Sequence, residues 1–285
     1  MILEKKKIKL RDGIELNGQV KESGSTTWLI ATHGIGEHLE RHNYIPEILG
    51  QYLNIFQYDL RGHGESGGKK AYIEDFYTYM DDLQQIIQVL KKEYRINKYI
   101  LFGHSMGALI TAGLLQKYVE DEFYPKVVYL SSPPVGFGGP AGQIIQNIPR
   151  GVAKRLAKLP VSFPLGGLVD LQGLSHDPRV ADNYARDPKN CMKLHSKLLL
   201  EMIKASKEIF SKPLRPKCPA FVSVGTEDAV VNPQALINYF STIEKGFCLK
   251  VFTGAKHEIH NEIDKYKVPY LEFFKHSLMD ALYDE

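Results

Sequence analysis

Three cysteines in 285 residues, at positions 191, 218 and 248, are too few and too scattered for a disulfide framework. They read as reduced thiols, as in a cytoplasmic chain. No C-x-x-C or H-E-x-x-H spacing occurs, so neither a zinc site nor any other metal or cofactor is expected. No segment approaches the roughly 18 consecutive apolar residues of a membrane span. The first ten residues, Met1 to Leu10, carry lysines but lack the apolar run of a signal peptide. The expectation is therefore a soluble, cytoplasmic protein. Charge of one sign is also missing: 36 basic residues stand against 33 acidic ones, which gives nucleic acid no electrostatic footprint. Internal repeats and low-complexity tracts are absent.

What is present is an ordinary globular composition, 44% apolar and 24% charged, enough for a sizeable core. Two alternating segments, Lys5–Leu10 and Ile14–Val20, flank Asp12-Gly13 and predict a hairpin. Thr27–Thr32 is a continuous apolar run of the kind found in buried strands, and Ile55–Asp59, Lys98–Phe102, Lys126–Leu130, Ala220–Val224 and Cys248–Phe252 look alike. Between them lie helical patterns. Ile73, Phe76, Met80, Leu83, Ile86, Ile87 and Leu90 recur at steps of three and four, and Ala108–Tyr118 and Lys265–Leu282 are similar. Strands alternating with helices predict an α/β fold, with a mostly parallel central sheet covered on both faces. Sites in such sheets gather at the carboxyl ends of the strands.

Pro134–Pro213 breaks the rhythm. Helical patterns run through Pro149–Leu159 and Cys191–Phe210, and no convincing strand is visible. The segment holds 12 basic against 6 acidic residues, whereas the remainder holds 24 against 27. It reads as a mainly helical cap, residues 134–213, inserted into a core formed by residues 1–133 and 214–285.

Gly103-His-Ser-Met-Gly107 matches G-x-S-x-G between a predicted strand and a predicted helix, the context of a nucleophile elbow. Small residues at 103 and 107 let the chain turn sharply while the Ser105 hydroxyl stays accessible. A serine hydroxyl needs a base. In this arrangement the base lies on a late loop, and His257 and His260 both occupy the loop after Cys248–Phe252. The orienting carboxylate should follow Ala220–Val224, where Glu227 and Asp228 are adjacent and only one can face the imidazole; Asp228 is favoured. The Met106 amide, one residue after the nucleophile, is one expected oxyanion donor. Ile35, between two glycines after Thr27–Thr32, is the second. His33, His63 and His104 sit beside glycines in tight turns and are read as structural. His38 and His42 have the spacing of a metal pair without an evident third ligand.

With these pieces assembled, the chain resembles the monoacylglycerol lipase and lysophospholipase branch of the α/β-hydrolases, the hydrolase-4 or serine aminopeptidase S33 type of domain. The resemblance spans roughly Leu10–Leu282. It rests on His33-Gly-Ile-Gly-Glu-His38 with Arg41, Asp59-Leu-Arg-Gly-His-Gly-Glu-Ser66, Gly103-His-Ser-Met-Gly107, Gly225-Thr-Glu-Asp228, and Gly254-Ala-Lys-His-Glu-Ile-His-Asn-Glu262. The last two blocks imply Asp228 as the acid and His257, rather than His260, as the base. The first supports Ile35. Ser175–Pro188 is similar to the cap segment of these enzymes, and Cys191 matches a cysteine that lines the cap near the site in some of them.

The resemblance implies a serine esterase that works through an acyl-enzyme. Monoacylglycerols or lysophospholipids are the expected substrates, with broad carboxylesterase action on short-chain esters as the alternative. Serine at the elbow disfavours dehalogenase and epoxide-hydrolase chemistry, which in this fold use aspartate, and nothing in the sequence supports peptidase action. Ile145, Ile148, Val152, Leu156, Leu171, Leu174 and Cys191 are the candidate lining of an acyl-chain pocket. Basic residues among them, Arg150, Lys154, Arg155 and Lys158, raise the expectation of peripheral contact between the cap and a membrane or micelle surface.

Overall fold

The computed structural model describes residues 3–117, 123–139, 142, 147–158, 162–166 and 170–283. Eight strands form one sheet: β1 (Glu4–Lys9), β2 (Glu15–Lys21), β3 (Thr27–Thr32), β4 (Asn54–Tyr58), β5 (Lys98–His104), β6 (Val127–Ser131), β9 (Ala220–Gly225) and β10 (Cys248–Phe252). Their spatial order is β1-β2-β4-β3-β5-β6-β9-β10. The first hairpin forms as the pattern predicts, with Lys9 opposite Glu15 and Gly13 in the left-handed region at φ +87°. From β4 onward every pairing is parallel.

The strand order locates the crevice. From β3 the chain passes to β4 on one side, then crosses to β5 on the other. Connections leave this point in opposite directions, so the carboxyl ends of β3 and β5 border open space. The loop after Thr32 and the elbow after His104 meet there, and Thr32 is in register with Gly103.

Both faces of the central strands β3 to β6 are dry. Leu29, Ala31, Ile100, Phe102, Val127 and Tyr129 face helix α1 (Tyr44–Leu49) and the long C-terminal helix Asp264–Tyr283. The alternate residues Trp28, Ile30, Leu101, Val128 and Leu130 face α2 (Tyr77–Glu93) and α3 (Met106–Lys117). This explains why the strands carry unbroken apolar runs.

Three expectations need correction. The helical periodicity begins at Ile73, yet α2 begins at Tyr77, where the Asp75 carboxylate accepts the Tyr77 amide at 3.2 Å. Ile73 and Phe76 are buried all the same, so the pattern there reports burial and not helicity. Residues 134–213 do contain strands: β7 (Pro164–Gly166) pairs antiparallel with β8 (Lys193–His195), three residues each and too short to show a period. The Cys191–Phe210 pattern is therefore helical only from Ser196 to Ile209. A further helix, Pro178–Arg186, has few apolar residues; its signal was Asp177, whose carboxylate caps the Arg179 amide, followed by proline in the first turn. None of these elements joins the eight-stranded sheet.

Phe274 on the C-terminal helix packs edge-on against Tyr129 at 4.8 Å and Phe102 at 5.3 Å, fully buried. Phe274→Ala is expected to lower unfolding free energy by about 3–5 kcal/mol in urea titrations. A loss below about 1 kcal/mol would show that this face is not a close-packed core.

Candidate active site

Ser105 sits at φ +51°, a left-handed conformation that costs a non-glycine residue about 1–3 kcal/mol. The flanking glycines make the turn sterically feasible. A Cβ at Gly103 would lie 2.4 Å from the Gly107 carbonyl oxygen, and one at Gly107 would lie 2.2 Å from that of Thr32. The Ser105 amide donates to the Ser131 carbonyl at 2.8 Å, which anchors the elbow to the end of β6.

Asp228 and His257 arrive from neighbouring parallel strands. The β9–β10 pairing ends with Gly225 opposite Phe252, so the loops that follow leave the sheet side by side. They are joined by backbone bonds from Thr226 to Phe252 (3.1 Å) and from Glu227 to Ala255 (2.9 Å). One Asp228 oxygen accepts the amides of Val230 and Val231 at 2.8 and 2.9 Å; the other meets His257 Nδ1 at 2.6 Å. Glu227 points away, exposed, and pairs with His176 at 3.3 Å. His260 is stacked on Tyr44 at 4.9 Å, and neither of its ring nitrogens has a hydrogen-bond partner among the described residues. Geometry thus separates both ambiguous pairs in favour of Asp228 and His257.

Burial disfavours a charged His257, but the charge and hydrogen bond of Asp228 outweigh it and hold the imidazole above its ordinary pKa of 6.5. The His257 ring lies 5.0 Å from that of His104, the residue preceding the serine. No hydrogen bond joins Ser105 Oγ to His257 among the described residues.

The β3 loop is clamped around Gly34. Its amide donates to Glu37 at 2.5 Å and its carbonyl meets His33 Nδ1 at 2.8 Å. His33 Nε2 accepts the Leu60 amide at 2.9 Å, so the proton resides on Nδ1 and is donated to Gly34. Burial drives the His33 pKa down to about 4, which keeps this tautomer neutral. A planar trans peptide directs its C=O and N–H to opposite sides. Fixing the Gly34 carbonyl therefore fixes the direction of the Ile35 amide. Neither the Ile35 nor the Met106 amide has a hydrogen-bond acceptor among the described residues, which leaves both available to an incoming oxygen.

A buried charge cluster that the residue patterns alone did not reveal ties the loops together. Arg41 Nε donates to Glu37 at 3.0 Å and its Nη2 to Glu258, the neighbour of His257, at 2.5 Å. The guanidinium lies 4.7 Å from the Tyr184 ring of the Pro178–Arg186 helix. Burial would lift the Glu37 pKa, yet His42, His104 and Arg41 together hold it well below the ordinary value. The signal was visible only as unexplained members of the motifs around residues 33–41 and 254–262. His38 and His42 do not converge: they pair with Asp187 and Glu37, each at 2.9 Å.

The candidate pocket residues scatter. Leu174 is buried, and its carbonyl accepts the Glu258 amide at 2.8 Å. The Cys191 amide donates to Gly36 at 2.7 Å beside the β3 loop, and burial pushes its thiol pKa up. Ile148, Leu156 and Leu171 are half-buried, whereas Val152 is exposed. Ile145 lies outside the described residues.

Comparison with known proteins bears on the family and the fold. The family model described as Hydrolase_4, serine aminopeptidase S33, matches residues 25–264. The chain is 27% identical over 239 residues to a monoacylglycerol lipase of Mycolicibacterium smegmatis, covering 82% of each chain. It is 26% identical over 247 residues to the mouse monoglyceride lipase, covering 85% of this chain and 79% of the mouse protein. Among solved structures, the monoacylglycerol lipase of Paleococcus ferrophilus superposes with a TM-score of 0.79 at 23% identity, covering 99% of this chain and 100% of the other. A soluble variant of the Saccharomyces cerevisiae monoglyceride lipase, in complex with a substrate analog, gives 0.81 at 20% identity, covering 99% and 95%. These superpositions identify the fold as that of the α/β-hydrolases.

The Asp228–His257 pair predicts that the His257 imidazole titrates above 6.5 by NMR. Asp228→Asn removes the charge that opposes burial, so the same resonance should then titrate below 6.5. Equal midpoints in the two proteins would show that the pair is not coupled.

Proposed function

We propose, from the premise that this chain belongs to the serine aminopeptidase S33 (Hydrolase_4) family of serine hydrolases, that it cleaves the ester bond of monoacylglycerols or lysophospholipids through an acyl-enzyme on Ser105. The observation that carries this reading is the strained Ser105 elbow beside an imidazole already hydrogen-bonded to a buried carboxylate at 2.6 Å. Ser105 Oγ attacks the ester carbonyl while His257 takes its proton. Asp228 holds the imidazole tautomer and stabilises the imidazolium. The Ile35 and Met106 amides bind the oxyanion. The tetrahedral intermediate collapses, and the alcohol leaves with the proton from His257. Water then attacks the acyl carbonyl by the same route and returns the serine.

The relatives' names support a glycerolipid substrate, and the segment 134–213 supplies the cover. We take residues 1–133 and 214–285 as the hydrolase core and 134–213 as its cap. Leu174 and Cys191 reach the catalytic loops from the cap and are the candidates to meet the acyl chain. Each buried methylene contributes about 0.8 kcal/mol, so an apolar passage would discriminate for long chains.

The cap also exposes Val152, Phe163 and Met192, along with Arg150, Arg155, Lys158 and Lys193. Apolar and basic groups exposed together suit peripheral contact with an anionic lipid surface. No helix among the described residues is long and apolar enough to cross a membrane.

Hydrolysis rates across monoacylglycerols and lysophospholipids of increasing acyl length should rise towards long chains. Ser105→Ala should lower kcat by on the order of 10⁴-fold with the fold intact. An optimum at short acyl chains would favour a broad carboxylesterase, and an unchanged rate in Ser105→Ala would remove the assignment. Sedimentation with vesicles should show tighter binding as anionic lipid is added and weaker binding as salt rises. Binding indifferent to both would exclude the cap as a charged docking surface.

A further inference from the structure

Ser131 and Ser132, at the end of β6, touch the Ser105 elbow, the strand β9 that leads to Asp228, and the His257 loop. The Ser131 carbonyl accepts the Ser105 amide at 2.8 Å. The Ser132 amide donates to Ser223 at 2.9 Å, on the strand that leads to Asp228. The Ser132 hydroxyl donates to the backbone carbonyl of His257 at 3.2 Å. Ser132 is fully buried and sits at φ +48°, the left-handed region, where serine pays about 1–3 kcal/mol of strain.

That conformation has a geometric consequence. The turn at Ser132 lets its amide reach β9 while its hydroxyl reaches the His257 loop. Among the described residues no other group donates to the His257 carbonyl. His257 is therefore held at two points: its ring by Asp228 and its backbone by Ser132. Bonds from Glu227 to Ala255 and from Glu258 to Leu174 hold the residues around His257, and the Ser132 bond adds a restraint on the His257 peptide itself. The direction of the far ring nitrogen, towards or away from Ser105, depends on the Asp228 contact and on this restraint.

We infer that Ser132 is a positioning residue for the hydrolysis, its hydroxyl fixing the His257 backbone so that the imidazole is aimed at Ser105. This rests on the roles proposed above for Ser105, Asp228 and His257. The strain at Ser132 persists because the bonds to Ser223 and His257 together over-determine it.

Ser132→Gly separates the hydroxyl from the backbone, because glycine adopts φ +48° without strain. Active sites are titrated with a fluorophosphonate, and kcat is expressed per titrated site on a soluble p-nitrophenyl ester. The expected result is a fall in kcat of roughly tenfold, equivalent to about 1.4 kcal/mol. KM should stay within about twofold, because substrate contacts are untouched. A residue that served only folding would lower the melting temperature and the titratable fraction while leaving kcat per site at the parent value; that outcome overturns the inference. Ser132→Ala, which lacks the hydroxyl but keeps the strain, should lose a similar factor in kcat and also melt earlier than Ser132→Gly.

A second readout is independent of turnover. The low-field Nδ1 proton resonance of His257 should move in Ser132→Gly, and an unmoved resonance counts against the inference. Were the parent protein no faster than Ser105→Ala, the hydrolase assignment of Ser105 would fall, while this resonance would still decide whether Ser132 orients His257.

Discussion

A carboxylate and an imidazole meet in a hydrogen bond of 2.6 Å in a place where water scarcely reaches either, and most of the site's architecture serves that contact. Burial penalises a charged imidazole, and the Asp228 contact, helped by Glu258 and Glu37, more than offsets that penalty at His257. Asp228 in turn needs its second oxygen satisfied, which the Val230 and Val231 amides provide. Neighbouring parallel strands are what bring the two loops together. Their in-register ends release both loops at the same level of the sheet, and two backbone bonds between the loops prevent them from separating.

The cost of burying charge also shapes the loop after β3. Glu37 and Glu258 are both buried, and a single guanidinium, Arg41, joins them. Buried ion pairs of this kind contribute little net stability, because desolvation offsets most of the attraction. Their effect here is geometric. They couple the loop after β3, which carries Ile35, to the loop that carries His257, and Tyr184 extends the coupling to the Pro178–Arg186 helix. His33 adds a clamp of a different kind: a neutral ring, kept neutral by burial, whose two nitrogens read two backbone groups and thereby set one peptide plane.

Much of this was legible in the residues. Continuous apolar runs marked the strands because both faces of the sheet are covered. The elbow was recognisable because a sharp strand-to-helix turn admits only small residues at positions 103 and 107, where a Cβ would strike backbone oxygen. Less was legible in residues 134–213. Three-residue strands have no measurable period, and the Pro178–Arg186 helix announces itself by its cap more than by its apolar face. Ile73 and Phe76 misled for the opposite reason, since burial without helicity mimics an amphipathic turn.

The sequence by itself determined the fold class and a short list of candidate residues, because turn chemistry and apolar periodicity are local properties written in neighbouring side chains. It favoured Asp228 over Glu227, and chose His257 over His260 only through the resemblance, with no contact to show for either choice. Tertiary structure separated them: Glu227 faces outward to His176, His260 is stacked on Tyr44, and only Asp228 and His257 meet. Nor could any local pattern single out Ser132, since its hydroxyl acts on a carbonyl 125 residues away. Contacts between loops depend on strand order and register, which one chain segment does not encode without its neighbours.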